Sequence, residues 1–372
     1  MRDTMGIIMT GGADIKLNEL TRARAVAAVP VAGRYRLIDF ILSNMVNSGI
    51  VNVGVPTQAY YRSLMDHLGS GKEWDLNRKL HGLFILPPYV NKDSGDNYKG
   101  DIDLLNGIMD YIDRSKQKYV LLAGGNLIFN TTFDALQDFH IKKDADITIL
   151  YNEESFAGGI PVRHVALLTD ENGRVTDMEV SPHRVFSNKI SMGIYFMEKE
   201  FLAYQIGRCI SRGMHDFVMD VLVHNIENYN IYACPFAGYV GRIDSLASYY
   251  YCNMRLLEPA VCDEIFNGPN RIYTKVKDQV PTIYGDNAQV SNSLIADGCV
   301  IDGKVENSII FRGVQVAKDA VITNSIVMQD SQLQKNTDLE YVILDKSVVI
   351  RHGKRLIGQE NYPVVIGKNV IV

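Results

Sequence analysis

Short apolar runs alternate with amphipathic stretches through the first ~250 residues, the pattern of a sheet flanked by helices. Runs at 6–10, 52–56, 119–123, 147–151 and 192–196 predict strands. Between them, 37–47, 102–115 and 133–140 carry apolar residues at helical spacing. Stretches 199–210, 216–227 and the tyrosine-rich 246–257 predict further helices that close this half. The first strand turns sharply through Gly11-Gly12, which suits a doubly wound α/β sheet with ligands beyond the strands' carboxyl ends.

After Pro259 the pattern changes. Asn-Ser followed by apolar residues recurs at Asn292, Asn307 and Asn324, 15 and 17 residues apart. Ile310, Val316, Ile322 and Met328 fall six apart, as do Leu294 and Val300. One inward apolar residue per hexad predicts a parallel β-helix, three short strands to a coil, over an irregular β-sandwich. The expected layout is an α/β domain over 1–257, a connection over 258–288 marked by Pro259, Pro269 and Pro281, and a β-helix over 289–372.

Composition narrows the function. A net charge of −5 gives no electrostatic reason to expect nucleic acid or an anionic membrane as partner. Five widely spaced cysteines contain no CxxC pair, and the eight histidines show no HExxH spacing, so neither disulfides nor zinc are expected. The apolar start is too short for a signal peptide, and no later run approaches a membrane span. The expected location is the cytoplasm. No Ser/His/Asp set stands out.

The stretch GRYRLIDFILSNMVNSGI at 33–50 strongly resembles the sugar-nucleotide pyrophosphorylases, most closely the bacterial glucose-1-phosphate adenylyltransferases. The resemblance continues through Thr57-Gln58, Tyr98-Lys99-Gly100, His215-Asp216-Phe217, Asn253-Met254 and the hexapeptide repeats. It implies a Rossmann-like nucleotidyltransferase domain followed by a left-handed parallel β-helix. It also implies a reaction: glucose 1-phosphate attacks the α-phosphorus of ATP in line, releasing pyrophosphate. The charge that builds on the phosphoryl oxygens calls for Mg²⁺ on carboxylates, with Arg and Lys.

Position by position, that chemistry is largely removed. The family's GG-x-G-T-R-L loop is here Gly11-Gly12-Ala13-Asp14-Ile15-Lys16-Leu17, with an opposing carboxylate and Lys16 for arginine. The lysine of R-A-K-P-A-V is Val26, and the metal aspartate of L-A-G-D is Gly125. The lysine of E-K-P, which grips the sugar phosphate, is Ser181. The second metal aspartate, in W-x-D-V-G-T, aligns with Arg242, two residues before Asp244.

Recognition positions persist better. The resemblance assigns Gln58 to the adenine edge, Tyr98 and Gly100 to the nucleotide side, and Ser191 and Gly193 to the sugar side. The two glycines could equally serve tight turns.

This pattern resembles the non-catalytic, GlgD-type branch of the family. It implies a regulatory subunit without a cofactor of its own, in a hetero-oligomer, expected to be a tetramer, whose catalytic partner carries the Mg²⁺. Residues Arg351, His352, Lys354 and Arg355 are a candidate site for a small phosphorylated effector, although such a run is more commonly a solvated coil. Arg22 and Arg24 could contact an effector or face water. An active nucleotidyltransferase recruiting Asp244, Asp14 or Asp216 for metal, or a stand-alone sugar-phosphate or nucleotide sensor, are the alternatives.

Overall fold

The architecture was read from a computed structural model, which describes residues 1–11, 15, 17–58, 60–88, 98–154, 164–182 and 186–372. The N-terminal half is built on a nine-stranded mixed sheet. Thr4–Met9 lies at its centre, parallel to both Tyr119–Gly124 and Asn52–Pro56, and Gly82–Leu86 continues the parallel part. Lys189–Glu198 runs antiparallel against Tyr119–Gly124 and also carries Ile147–Glu153.

Strict alternation explains how these strands bury both faces. Met5, Ile7, Val120 and Leu122 join one apolar cluster, whereas Ile8, Leu121 and Ala123 join another on the opposite face. The helix Leu37–Asn47 forms where its spacing predicts. Asp39 accepts the Arg36 amide at its start and meets His67 Nε2 at 2.6 Å.

Some expectations change. The 102–115 helix is two, Asp101–Asn106 and Met109–Arg114, broken where Ile108 leaves helical geometry. The 216–227 helix shortens to a π-helical turn, Phe217–Leu222, and a 3₁₀ turn, Val223–Asn225. Strands Gly82–Leu86, Val165–Thr169, Val175–Val180 and Ile231–Phe236 were not marked by the apolar pattern. The 258–288 stretch opens with the helix Pro259–Phe266, and its Ile283–Tyr284 already forms a solenoid strand.

The C-terminal half is a left-handed β-helix, three parallel sheets of five short strands each. Its repeat has a local cause. Asn292, Asn307 and Asn324 occupy successive corners at φ of 41°, 46° and 47°, the left-handed region that asparagine tolerates. Their side chains stack as a ladder: Asn292 Nδ2 donates to Asn307 Oδ1 at 2.9 Å, and Asn307 Nδ2 to Asn324 Oδ1 at 2.5 Å.

The hexad phase is correct at Ile310, Val316 and Ile322, all inside the coil. At Leu294, Val300 and Met328 it is one residue off: Ile295, Ile301 and Val327 point inward instead. Strand pairs with two consecutive apolar residues cannot reveal from sequence which one faces in. Leu294 and Met328 face the α/β domain, where Met328, Phe311 and Ile343 pack with Leu20, Phe40 and Tyr249. That shared core fixes the solenoid against the first domain. No helix among the described residues is long and apolar enough to cross a membrane.

Candidate functional site

The carboxyl ends of Thr4–Met9 and Tyr119–Gly124 open into a cavity of about 190 Å³. Gly11, Gly125, Ser191, Gly193, Arg242 and Asp244 all line it. A short antiparallel pair, Gly241–Arg242 with Leu127–Ile128, brings Arg242 to one wall. A bulge in Lys189–Glu198 brings Ser191 and Gly193 to another; Gly193 sits at φ 65°, so its tight-turn role is real. Ser191 Oγ accepts the Gly193 amide at 3.1 Å.

Val26 and Gly125 each have a packing account. Val26 lies in a 3₁₀ turn, buried with Leu17, Leu20 and Val29 in an apolar cluster. It packs against Gly11, whose added Cβ would stand 3.0 Å from Val26 Cβ, at a φ of 124°. Gly125 donates its amide to the Met9 carbonyl at 2.9 Å. A Cβ there would meet Ala27 Cβ at 3.0 Å and the Met9 carbonyl oxygen at 3.3 Å. A carboxylate at position 125 would therefore need the wall to give.

Arg242 is engaged within the protein. Its Nη2 donates to Glu154 Oε1 at 3.2 Å and to the Ser191 carbonyl at 2.9 Å. The neighbouring Asp244 accepts from Ser248 Oγ at 2.9 Å, at the capped start of Leu246–Arg255. Asp216 accepts the Met219 amide at 2.9 Å and caps the π-helical turn. Among the described residues, no three His, Cys, Asp or Glu side chains converge in a group that could hold a metal ion.

Other candidates stand apart from the cavity. Ser181 is exposed, at φ 49°, and donates its amide to the His164 carbonyl at 2.8 Å. Gln58 and Tyr98 are half-buried and line no part of the cavity. Gly100 is not a tight turn: its backbone is extended, and any Cβ would collide with the His215 carbonyl. Gly12, Asp14 and Lys16 lie outside the described residues.

The basic run lies on an exposed turn of the solenoid, where Arg351, His352, Lys354 and Arg355 all face solvent. Arg355 Nε pairs there with Asp338 at 2.8 Å. Arg24 does not face water. It is buried against Asp345 of the solenoid, while Arg22 is exposed.

Sequence reading missed three features of this region. Glu154 as the partner of Arg242 carried no signal, because 88 residues separate them. Lys346 was also unmarked; burial and the nearby Arg36 and Arg24 lower its ammonium to about 7. Burial likewise lowers Arg36 to about 10, although Asp39 opposes the shift.

Comparison with known proteins agrees with this architecture. The Nucleotidyl transferase family profile matches residues 5–254, and the GlmU-like C-terminal hexapeptide profile matches 279–362. The chain is 35% identical over 330 residues to the glucose-1-phosphate adenylyltransferase of Thermotoga maritima, spanning 87% of this chain and 77% of that protein. Against the enzyme of that name from Desulforamulus reducens it is 33% identical over 365 residues, 97% of this chain and 90% of the relative. The Acetivibrio thermocellus relative of that name is 33% identical over 369 residues, covering 97% and 85%. With the sheet, the solenoid and the strand-end cavity all in place, the chain belongs to the glucose-1-phosphate adenylyltransferase family of nucleotidyltransferases.

Proposed function

We propose that this chain is a regulatory, catalytically impaired subunit of ADP-glucose pyrophosphorylase, modulating a catalytic partner in glycogen biosynthesis. The observation that carries this reading is Arg242. A guanidinium bound to Glu154 stands where the family resemblance calls for a metal carboxylate, and Gly125 leaves the other such position without a side chain. Losing one transition-state electrostatic contact costs about 10²–10³ in rate, and groups acting together are strongly non-additive. A frame without both carboxylates and with Val26 and Ser181 for lysines retains little capacity for phosphoryl transfer.

The intact shared core between domains supports a role for the frame itself. A packed interdomain unit can hold a partner or transmit an effector's influence without turning over substrate. The expected assembly is a hetero-oligomer, a tetramer, in which only the partner binds Mg²⁺. The exposed run from Arg351 to Arg355 is the proposed contact for a phosphorylated effector.

Asp244 favours a second reading, an active enzyme with a rearranged metal site, because its carboxylate lines the cavity two residues from Arg242. Co-expression of the tagged chain with a catalytic homologue tests the first reading. A stable mixed complex with an altered effector response is expected. Homo-oligomers that ignore the homologue would remove it.

A further inference from the structure

Lys346 directly follows Asp345, the solenoid residue that holds Arg24 across the domain boundary. Its side chain is half-buried, and among the described residues Nζ makes no hydrogen bond or ion pair. Burial, then Arg36 and Arg24, lower its ammonium to about 7; Asp345 opposes the shift and Lys277 adds to it. Arg24 directs Nη2 at Asp345 and leaves Nη1 buried with no hydrogen-bond partner among the described residues. The boundary therefore sets an amine that is easily neutral among cations, one of which has lost water without full replacement. A desolvated lysine beside other cationic groups is a nucleophile at neutral pH.

We propose that Lys346 takes up carbon dioxide as a carbamate, a negative group formed at the domain boundary near Arg24 and Arg36. The unprotonated Nζ gives its lone pair to the carbon of CO₂. An N–C bond forms, one C=O π pair moves onto oxygen, and one N–H proton passes to water. Nothing is oxidised or reduced, and no group leaves. Two features favour this electrophile over a ready-made anion. CO₂ carries no charge, so it enters a half-buried position without the desolvation cost of a phosphate or carboxylate. It also reacts with the neutral amine, whereas an anion is drawn by the protonated form that this site disfavours. The product turns a neutral group into an anion with two acceptor oxygens, so the cations that opposed the ammonium now hold the carbamate.

The test is chemical trapping on the full chain. Protein equilibrated with CO₂ and bicarbonate at pH 7.5 is alkylated with a trialkyloxonium salt, which fixes a carbamate as a stable ester, and mass spectrometry locates the adduct. An ordinary lysine is only about 0.1% neutral at that pH, so Lys346 should carry at least ~10-fold more adduct than any other lysine. At equal dissolved CO₂ the yield should fall severalfold at pH 6, where Nζ is protonated. Carbon dioxide should also raise the thermal midpoint of the parent, because it adds to the folded state, and leave Lys346→Met unmoved. No adduct at saturating CO₂, or label spread evenly over the lysines, would overturn the proposal. So would a midpoint shift in Lys346→Met equal to the parent's. Stabilisation without an adduct would overturn it as well, since the cluster would then hold bicarbonate only as an ion. The step needs neither the strand-end cavity nor a partner subunit, so its failure leaves the regulatory reading standing, and that reading fails separately in the co-expression experiment.

Discussion

Arg24 directs Nη2 at both carboxylate oxygens of Asp345, at 2.9 and 2.8 Å, tying the first domain to the solenoid across 321 residues of chain. The side chains are 5% and 1% exposed, and Arg24 Nη1 is buried without a hydrogen-bond partner among the described residues. Removing one member of a buried ion pair strands the other charge and typically costs about 3–5 kcal/mol. Arg24→Ala or Asp345→Ala should lose about that much in denaturant unfolding. Replacing both with apolar residues, Arg24→Met with Asp345→Leu, should recover most of it. Single variants within ~0.5 kcal/mol of the parent would show that the pair does not hold the domains.

Next to this pair, Lys346 gives the interface a pH dependence. Burial, with Arg36 and Arg24 nearby, lowers its ammonium from 10.5 to about 7. Between those values the unfolded chain keeps a proton that the folded chain has released. Stability contributed by this site therefore rises with pH from about 7 toward 10.5, and below 7 the folded state bears the buried charge in full. Lys346→Met should be more stable than the parent at pH 6, with the difference shrinking by pH 9.5. Thermal midpoints across that range check it, and parallel pH profiles for the two proteins would refute it.

The asparagine ladder can be weighed by a pair of substitutions. Asn307 both accepts from Asn292 and donates to Asn324, at φ 46°. Asn307→Gly loses about two hydrogen bonds but keeps the backbone at ease, a cost of about 1–3 kcal/mol. Asn307→Ala adds about 1–2 kcal/mol for a Cβ in the left-handed region. Unfolding in urea should rank parent, Gly, then Ala; equal Gly and Ala costs would mean that φ does not matter there.

Restoring a carboxylate at the strand end should not restore the enzyme. Gly125→Asp places a Cβ against Ala27 and Met9, an overpacking cost of about 1–3 kcal/mol, and Arg242 still lines the same cavity. The variant should melt earlier than the parent and show no Mg²⁺-dependent pyrophosphate release. Measurable turnover would show that the wall yields and that one carboxylate suffices.

Local patterns made the central strands and the Leu37–Asn47 helix legible, because alternation and helical spacing survive any tertiary context. The Asn-Ser repeat was legible because a left-handed corner strongly prefers asparagine. The hexad phase at Leu294 and Met328 was not, since Leu294-Ile295 and Val327-Met328 are each apolar at both positions and only docking decides which turns outward. The departures from the family pattern at Val26, Gly125, Ser181 and Arg242 were read by resemblance. What occupies their space could not be read that way: Val26 on Gly11 and Glu154 on Arg242 are contacts between distant segments.

The central claim is that this member of the family is catalytically impaired and acts through a partner. The most direct test is pyrophosphate release from ATP and glucose 1-phosphate with Mg²⁺, by this chain alone, by a catalytic homologue alone and by the two mixed. The predicted result is background for the chain alone and a changed rate or effector response in the mixture. Robust turnover by the chain alone would contradict it and would point to Asp244 as the carboxylate carrying the metal.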